Sequence, residues 1–284
     1  MNDLTYTERK KRLISVFKDT MSLVEQDSKL KMAGKHSIDN QLFIPDSDRI
    51  SVPQLRYTEK AQVFVSQNRS FEAAANFRGQ KVTVLNFASA TTPGGGVETG
   101  ASAQEESLCR VSTLYPCLMD KTMWEQFYAP HRAAQNPLHN DDIIYTPDVM
   151  VLKDDDYNPI KTPFLVDVIT CAAPNLRKNP TNTYNKDDGY NVSICREELL
   201  ALHETRASKI ISVAARNGAE VLILGAFGCG AFRNDPYVVA TAYQKVIPSF
   251  LNYFRTIEFA VFCPPRDPGN YLSFKEIIGE QLDY

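Results

Sequence analysis

Two adjacent glutamates, Glu105 and Glu106, follow three consecutive glycines at 94–96 in the stretch TTPGGGVETGASAQEESL, residues 91–108. Carboxyl groups work as general acids and bases, and they accept hydrogen bonds from hydroxyl groups. Glycines lose more conformational freedom on ordering than other residues, so a run of three is kept where the backbone must pass close to something. The pattern predicts that the glycines and the carboxyl groups meet at a ligand.

A second glycine-rich loop, GAFGCGAFRNDPY at residues 225–237, follows the apolar run EVLIL. Asp235 is placed to cap a helix that begins at Pro236. Because glycine amides beside a helix N-terminus attract anions, the loop predicts a cradle for a phosphate or a diphosphate. A tight turn between a strand and a helix is the structural alternative. The loop spells neither a Walker motif nor GxGxxG.

Glu106 is the better candidate for a catalytic acid. Ser102 followed by Glu105 fits a capping box, which predicts a helix from about Ala103 and gives Glu105 a structural role at the Ser102 amide. Glu106 points roughly 100 degrees further around that helix, so the box does not account for it. The charge of Glu105, a bound diphosphate and closure of the loop would each raise the pKa of Glu106. We therefore expect substrate binding to raise the pKa of Glu106 far enough for the residue to be protonated.

The composition is that of a soluble globular protein. The chain has 284 residues, of which 43% are hydrophobic and 23% are charged, with a net charge of -3. This charge argues against a broad basic face for duplex DNA. No apolar run reaches the roughly 18 residues of a membrane span, and the polar start MNDLTYTERKKRL does not resemble a signal peptide. We expect a cytoplasmic monomer with no membrane partner and no direct nucleic-acid partner.

The cysteines and histidines show no pattern of a metal site or a Cys–His nucleophile. The six cysteines form no CxxC pair, and the four histidines show no HxxxH spacing. Buried thiols and structural or solvated imidazoles are the expectation. No metal and no cofactor is predicted.

Strand-like and helix-like segments alternate along the chain. One amphipathic helix is predicted over residues 6–33, with Thr7 as its N-cap. The runs KVTVLNFASA, FLVDVITCAAP, EVLILGAF and FAVFCPP predict buried strands, and IIYTPDVMVL predicts two strand-like runs around a proline turn. Helices are predicted over SICREELLALHETRASKIISVAARNGA, PYVVATAYQKVIPSFLNYF and YLSFKEIIGEQL. The alternation indicates a three-layer α/β/α domain with a mixed central sheet over residues 59–284, after a helical extension over residues 1–58.

The segment VLNFASATTPGGGVETGASAQEES resembles the signature of the microbial-type poly(ADP-ribose) glycohydrolases, a branch of the macrodomain superfamily. In that signature a short spacer, here VETGASA, separates GGG from QEE. The resemblance extends through DVITCAAPN and GAFGCGAFRNDP and covers most of residues 60–280. It implies a macrodomain-like fold and a glycosidase that releases ADP-ribose, either from the end of poly(ADP-ribose) or from ADP-ribosylated proteins.

The resemblance also implies roles for individual residues. Glu106 would protonate the departing oxygen on the anomeric carbon and then take a proton from the attacking water. Glu105 would bind hydroxyl groups of the terminal ribose, and Phe232 would pack on the ribose beside the scissile bond. The implied substrate-binding residues are Asn86, Gly94, Gly95, Gly96, Val97, Gln104, Gly228, Cys229, Gly230, Ala231 and Phe232.

The sequence departs from the macrodomain pattern at two places. Ser89 stands where many macrodomains carry a second asparagine. At the end of the last strand, where they often place an aromatic under adenine, the run FAVFCPPRD offers Pro264 and Pro265. Tyr271 or Phe274 is an alternative aromatic, although either also fits the apolar face of the last helix.

Two other functions stay open at this stage. One is hydrolysis of a single ADP-ribosyl group, for example from arginine, and the other is binding of ADP-ribose without cleavage. A binding module has no use for a carboxylate at the scissile bond, so Glu106 discriminates between cleavage and binding. The loops KDDDYNPIKTP and RKNPTNTYNKDDGY are predicted to be mobile turns with solvated charges.

Overall fold

A computed structural model describes residues 5–264 and 266–279 of the chain. Within these residues, seven strands form one sheet in the order β1-β4-β5-β3-β6-β7-β2. The β1–β4 and β4–β5 pairs are antiparallel, and the other neighbouring pairs are parallel, so the predicted mixed sheet is confirmed. The strands are β1 (Leu42–Ile44), β2 (Gln62–Ser66), β3 (Val82–Phe87), β4 (Ile143–Lys153), β5 (Pro159–Cys171), β6 (Val221–Leu224) and β7 (Thr256–Ala260).

Helices cover both faces of this sheet. They are α1 (Tyr6–Gln26), α2 (Ser28–Asp39), α3 (Ser70–Ala75), α4 (Gln104–Val111), α5 (Leu114–Leu118), α6 (Lys121–Met123), α7 (Ala129–Ala134), α8 (Arg196–Arg216), α9 (Pro236–Val246) and α10 (Gly269–Gly279). A π-helical turn, Trp124–Tyr128, joins α6 to α7. Asp235 caps α9 through its side chain and Pro236 is the first helical residue, as the sequence predicts.

The alternation of side chains along the strands divides the core into two layers. On β3, Val84 packs in a cluster with Phe17 of α1 and Leu108 of α4. The next residue, Leu85, belongs to the opposite cluster, which contains Ile211 of α8. Successive side chains of a strand point to opposite faces, so both faces of β3 are buried. The three-layer α/β/α prediction is confirmed.

The N-terminal helix prediction is wrong in its boundaries. Two helices replace the single helix over residues 6–33, because Asp27 accepts hydrogen bonds from the amides of Lys29 and Leu30 and caps α2. Thr5, not Thr7, caps α1, in a reciprocal pair with Glu8. A polar residue that competes for backbone amides ends one helix and begins the next.

Two further features differ from expectation or extend beyond the described residues. The predicted proline turn in IIYTPDVMVL is a β-bulge: β4 continues through it with a register shift between Thr146 and Val149, and Asp148 has a φ of 55°. An extra residue in one strand of an antiparallel pair produces such a shift. The predicted last helix reached residue 282, and its part beyond Gly279 lies outside the described residues.

The N-terminal segment contributes to the sheet as well as to the helical layer. β1 pairs with the start of β4 through Ile44 and Ile143. α1 packs beside α4, where Phe17 is buried. The division of the chain at residue 58 stays a prediction.

Candidate active site

The start of α4 is fixed to the end of β3 by Gln104. Its side-chain Nε2 donates to the carbonyl oxygen of Leu85 at 2.7 Å, and its Oε1 accepts from the amide of Phe87 at 2.9 Å. The side chain thus makes the hydrogen bonds to these backbone groups that a neighbouring strand would make. The two glutamates that follow Gln104 are therefore held above the carboxyl edge of the sheet, where ligands bind in α/β folds.

Glu105 is buried and fully engaged by hydrogen bonds. Its Oε2 accepts from the amide of Ser89 at 2.9 Å, and its Oε1 accepts from Nδ2 of Asn86 at 3.3 Å. The predicted capping box is wrong: Ala103 is the N-cap of α4 and makes no side-chain cap bond, because tertiary donors take the Glu105 carboxyl group. Burial raises the pKa of Glu105, and the charge of Glu106 raises it further.

Glu106 is 6% exposed, and its two carboxyl oxygens have different surroundings. Oε1 accepts a hydrogen bond from the amide of Gly96 at 2.9 Å. Oε2 is buried and has no hydrogen-bond partner among the described residues. Since an unpaired buried carboxylate oxygen is costly, this atom favours carrying the proton.

The pKa of Glu106 is raised by burial, against the opposing effects of the Gly96 amide and the Arg110 charge. The protein's own atoms bury Glu106, so the fold itself supplies desolvation that we expected from loop closure. The two carboxyl groups are too close and too buried to ionise together, as in other carboxylate pairs. Of the oxygens of Glu106, Oε2 is the one without a donor, so it is the oxygen that carries the proton of this residue.

Gly95 shows why the turn before these glutamates needs glycine. It has a φ of +56°, and a Cβ atom there would lie 2.5 Å from Oε1 of Glu106 and 3.3 Å from Oε2 of Glu105. Both carboxyl groups therefore face the bare backbone of this residue. The sequence predicts that the glycine run passes close to another group, and that group is the pair of glutamates. Gly95 and both glutamates line the cavity.

The second glycine loop is held by Asn234. Its side chain donates to the carbonyl oxygens of Pro174 at 2.7 Å and Gly228 at 3.0 Å. Gly228 has a φ of +77°, and a Cβ atom there would lie 2.5 Å from the Cβ of Ala173. The loop therefore needs glycine at this turn, and it is anchored to the segment after β5.

One cavity of about 560 Å³ brings the two loops together, within the range of about 300–1,000 Å³ that is typical of small-molecule sites. Of the residues predicted for the site, eight line it: Gly95, Gln104, Glu105, Glu106, Gly228, Gly230, Ala231 and Phe232. The other five, Asn86, Gly94, Gly96, Val97 and Cys229, are not among its lining residues. Asn86 lies behind Glu105, and Val97 is fully buried.

Residues 3–154, just over half of the chain, match the family described as microbial-type PARG, catalytic domain. The chain belongs to the microbial-type poly(ADP-ribose) glycohydrolase family. Members of this family are glycosidases, so the protein is an enzyme of that class. The resemblance seen in the sequence is confirmed.

Solved structures agree with this family. The poly(ADP-ribose) glycohydrolase of Thermomonospora curvata is similar at 26% identity over 94% of this chain and 99% of its own, with a TM-score of 0.80. That of Deinococcus radiodurans in complex with ADP-ribose is similar at 29% identity, with coverage of 87% and 96% and a TM-score of 0.74. No curated protein matches the chain significantly.

The glycohydrolase has further cavity residues that sequence reasoning missed. The guanidinium of Arg69 lies 4.0 Å from the ring centroid of Phe262, and both side chains line the cavity. Asp155, in the loop predicted to be solvated, also lines it, and burial raises the pKa of this residue to about 6 against the Arg69 charge. The prediction of a solvated turn is wrong at Asp155.

Phe262 lies two residues after the end of β7, so its position in FAVFCPP is a usable signal in the sequence. The other two aromatic candidates for the adenine position lie elsewhere. Phe274 is fully buried in one core cluster, and Tyr271 packs against that cluster. Pro264 is not among the lining residues, and Pro265 lies outside the described residues. No local sequence pattern predicts that Asp155 lines the cavity, because the β4–β5 hairpin brings it there.

Two other features, a membrane-spanning helix and a metal-ligand cluster, are absent from the described residues. No described helix has the length and apolarity required to cross a lipid bilayer. Within the same residues, no three His, Cys, Asp or Glu side chains come together as metal ligands.

Proposed function

We propose that the protein hydrolyses the terminal ribose glycosidic bond of poly(ADP-ribose) and releases ADP-ribose, with Glu106 as the acid and the base. The observation that carries this proposal is the buried, unpaired Oε2 of Glu106 at the wall of the cavity. Similar bacterial proteins have been solved with ADP-ribose or with the inhibitor ADP-HPD bound. These complexes support ADP-ribose as the ligand of this cavity.

In the proposed mechanism, Oε2 of Glu106 gives its proton to the bridging oxygen as the bond from the anomeric carbon to that oxygen breaks. The ribose passes through an oxocarbenium-like state, and the carboxyl group of Glu105 holds the ribose hydroxyl groups by hydrogen bonds. Water adds to the anomeric carbon, and its proton returns to Glu106. One residue thus acts in both steps, unlike the paired acid and nucleophile of most glycosidases.

The remaining parts of the ligand are assigned to the rest of the cavity wall. We propose that the diphosphate lies between the two glycine loops, where Gly230 and Ala231 line the cavity. Phe232 would pack on the ribose beside the scissile bond. At the other end, Phe262 would stack on the adenine, which matches the aromatic position implied by the macrodomain resemblance.

A second concavity favours the polymer over a single ADP-ribosyl group. Arg177 lines both concavities, and Lys178 lies in the second one. The neighbouring amide of Leu176 donates to the carbonyl oxygen of Phe232 at 2.9 Å, so this surface begins beside the proposed scissile end. The next unit of the polymer carries another diphosphate, which Arg177 and Lys178 attract, while Asp187 is the acidic residue of the same lining. A single ADP-ribosyl group on a protein lacks that unit.

The protein is further proposed to act as a cytoplasmic monomer. All six cysteines carry free thiols, as is usual in a reducing compartment.

The test compares Glu106→Gln with the wild type on poly(ADP-ribosyl)ated and mono-ADP-ribosylated proteins. The control is Glu125→Gln, which changes an exposed carboxylate on the turn after α6. We expect kcat to fall by about 100- to 10,000-fold in the Glu106 variant alone. Equal release by the wild type and this variant would show that the acid is misassigned. Binding of ADP-ribose by both without cleavage would establish a binding module.

A further inference from the structure

His139 makes two hydrogen bonds that require two ring protons. Its Nδ1 lies 2.7 Å from the carbonyl oxygen of Ala173, and its Nε2 lies 2.7 Å from Oδ1 of Asp188. A backbone carbonyl can only accept, and an ionised carboxylate can only accept, so both ring nitrogens must donate. With Asp188 ionised, His139 is therefore an imidazolium, in a pair whose side chains are each 1% exposed.

The groups around His139 are compatible with this charge. His131 lies 6.0 Å away between ring centroids, and burial lowers the pKa of His131, an effect to which the charge of His139 adds. Arg206 donates to the carbonyl oxygen of His139. The His139 ring also lies 6.0 Å from the ring of Phe232 in the second glycine loop.

Asp188 is the anchor of the segment 177–190. Its Oδ2 accepts from Nδ2 of Asn175 at 2.5 Å, so both carboxylate oxygens are satisfied. The amide of Asn175 donates to the carbonyl oxygen of Pro137 at 2.6 Å. The next residue, Gly189, lies directly against the carbonyl group of Gln135. A segment without helix or strand is thus pinned by a buried ion pair rather than by regular structure.

The same segment reaches the proposed acid. Four residues before Asp188, the ring of Tyr184 lies against Gly96 so closely that a Cβ atom there would overlap the ring. Tyr184 and the buried Asn185 both line the cavity. The amide of Gly96 is the one that donates to Oε1 of Glu106 at 2.9 Å. A continuous path of contacts therefore joins the buried ion pair to the catalytic carboxyl group.

We propose that His139 is a positioning residue for catalysis. Its imidazolium holds Asp188 and thereby the segment 177–190, so that Tyr184 stays packed on Gly96 and fixes the amide that orients the acid. This proposal takes one point from the proposed function, namely that Glu106 is the acid. The charge pair holds the segment because a buried carboxylate without its cation is strongly destabilised.

The first test is the protonation state in the wild type. With ¹⁵N-labelled histidine, we expect NMR at neutral pH to show N–H signals from both ring nitrogens of His139. The matched reference is His36, whose Nε2 lies 3.2 Å from Asp148 in an exposed pair. A single ring proton on His139 would overturn the proposal.

The second test measures kcat and KM on the polymer for His139→Gln, Tyr184→Ala and Tyr184→Phe, with His36→Gln as the control. A misplaced acid lowers the rate more than it lowers binding, so we expect kcat to fall by about 100-fold in His139→Gln and Tyr184→Ala. KM should change little, and Tyr184→Phe, which keeps the ring on Gly96, should retain activity. Tyr184→Ala keeps the ion pair, so it tests the path even where His139→Gln fails to fold.

Failures of the two proposals can be told apart. An active Glu106→Gln variant would remove the proposed function and this proposal with it. An inactive Glu106→Gln variant beside an unchanged kcat in Tyr184→Ala would overturn the positioning role alone.

Discussion

The guanidinium of Arg110 donates from Nε to the carbonyl oxygen of Leu13 at 3.2 Å, which ties the helix that carries Glu105 and Glu106 to the N-terminal helix. A second nitrogen of Arg110 donates to the carbonyl oxygen of Ala101, in the turn before α4. Lys153 of β4 makes a comparable link, since its Nζ lies 2.5 Å from Asp19 of α1. The N-terminal helix therefore supports the site, although it supplies none of its lining residues.

A fragment of residues 59–284 tests the division predicted from the sequence. Removal of residues 1–58 would take away the acceptor of Arg110 and the partner of Lys153, and it would expose the core around Leu108. Because exposure of apolar core surface to water is costly, we expect the fragment to unfold at a markedly lower temperature than the full chain, or not to fold. Circular dichroism melts measure this. Equal melting temperatures would establish the fragment as an independent domain.

The pH dependence of kcat/KM should follow the proton on Glu106. The acid works only while protonated, and burial raises its pKa above the ordinary value of 4.5, so activity persists above that pH and is lost as pH rises through the raised value. The charge of Arg110 lowers this pKa. Arg110→Met should therefore move the loss of activity to higher pH.

A pH–rate profile of each variant measures this shift. Arg12→Met is the control, because Arg12 lies on the exposed side of α1 and its charge is screened from the site. A profile of Arg110→Met that coincides with the wild type would contradict the assignment of Glu106 as the titrating acid.

Glu105 should make the protein less stable as pH rises. Its pKa is raised in the folded state, so the folded chain binds this proton more tightly than the unfolded chain does. The resulting stability is fully present below about 4.5 and is lost as pH rises through the raised pKa. We expect the melting temperature of the wild type to fall more between acidic and mildly alkaline pH than that of Glu105→Gln. Parallel curves for the two proteins would argue against a raised pKa.

Gly95→Ala should abolish turnover with little effect on folding elsewhere. The new methyl group would lie 2.5 Å from Oε1 of Glu106 and would displace the carboxyl group. We expect kcat to fall by about 100-fold, as for a displacement of about 1 Å. Gly79→Ala is the matched control, since Gly79 also has a positive φ, +92°, but nothing lies within 4 Å of its Cβ position. Similar kinetic losses in both variants would indicate backbone strain instead of a clash at the site.

Phe262→Leu should weaken binding of ADP-ribose. Stacking on a base contributes about 1–3 kcal/mol, so we expect a loss of about tenfold in affinity by calorimetry. Phe164→Leu is the control: Arg78 lies 4.6 Å from the ring centroid of Phe164, a similar pair away from the cavity. Unchanged affinity in Phe262→Leu would place the adenine elsewhere.

Much of the fold could be predicted because its signals are local. The cap at Asp235, the end of α8 at Asn217 and the alternation around β3 depend on neighbours in sequence. Glu106 is favoured over Glu105 in the sequence because the expected capping box accounts for Glu105 alone, and that box does not form. Glu105 shows where local reasoning fails, because donors from Asn86 and Ser89 outcompete the capping box.

Other features could not be predicted, since tertiary structure creates them. Asp155 comes from an acidic run that is typical of a solvated turn, and only the β4–β5 hairpin carries it to the cavity. His139 and Asp188 are 49 residues apart, and their pairing has no sequence pattern. A buried charge becomes visible only with the partner that stabilises it.

The cavity wall combines two stretches of the chain with different tasks. The glutamates and the glycine turn lie within residues 3–154, the part that matches the family. Asp155, Arg177 and Phe262 lie after it, and none of them is assigned to the breaking bond. Substitution of these later residues could therefore change the acceptor that the enzyme recognises, while the glutamates and the glycine turn stay unchanged.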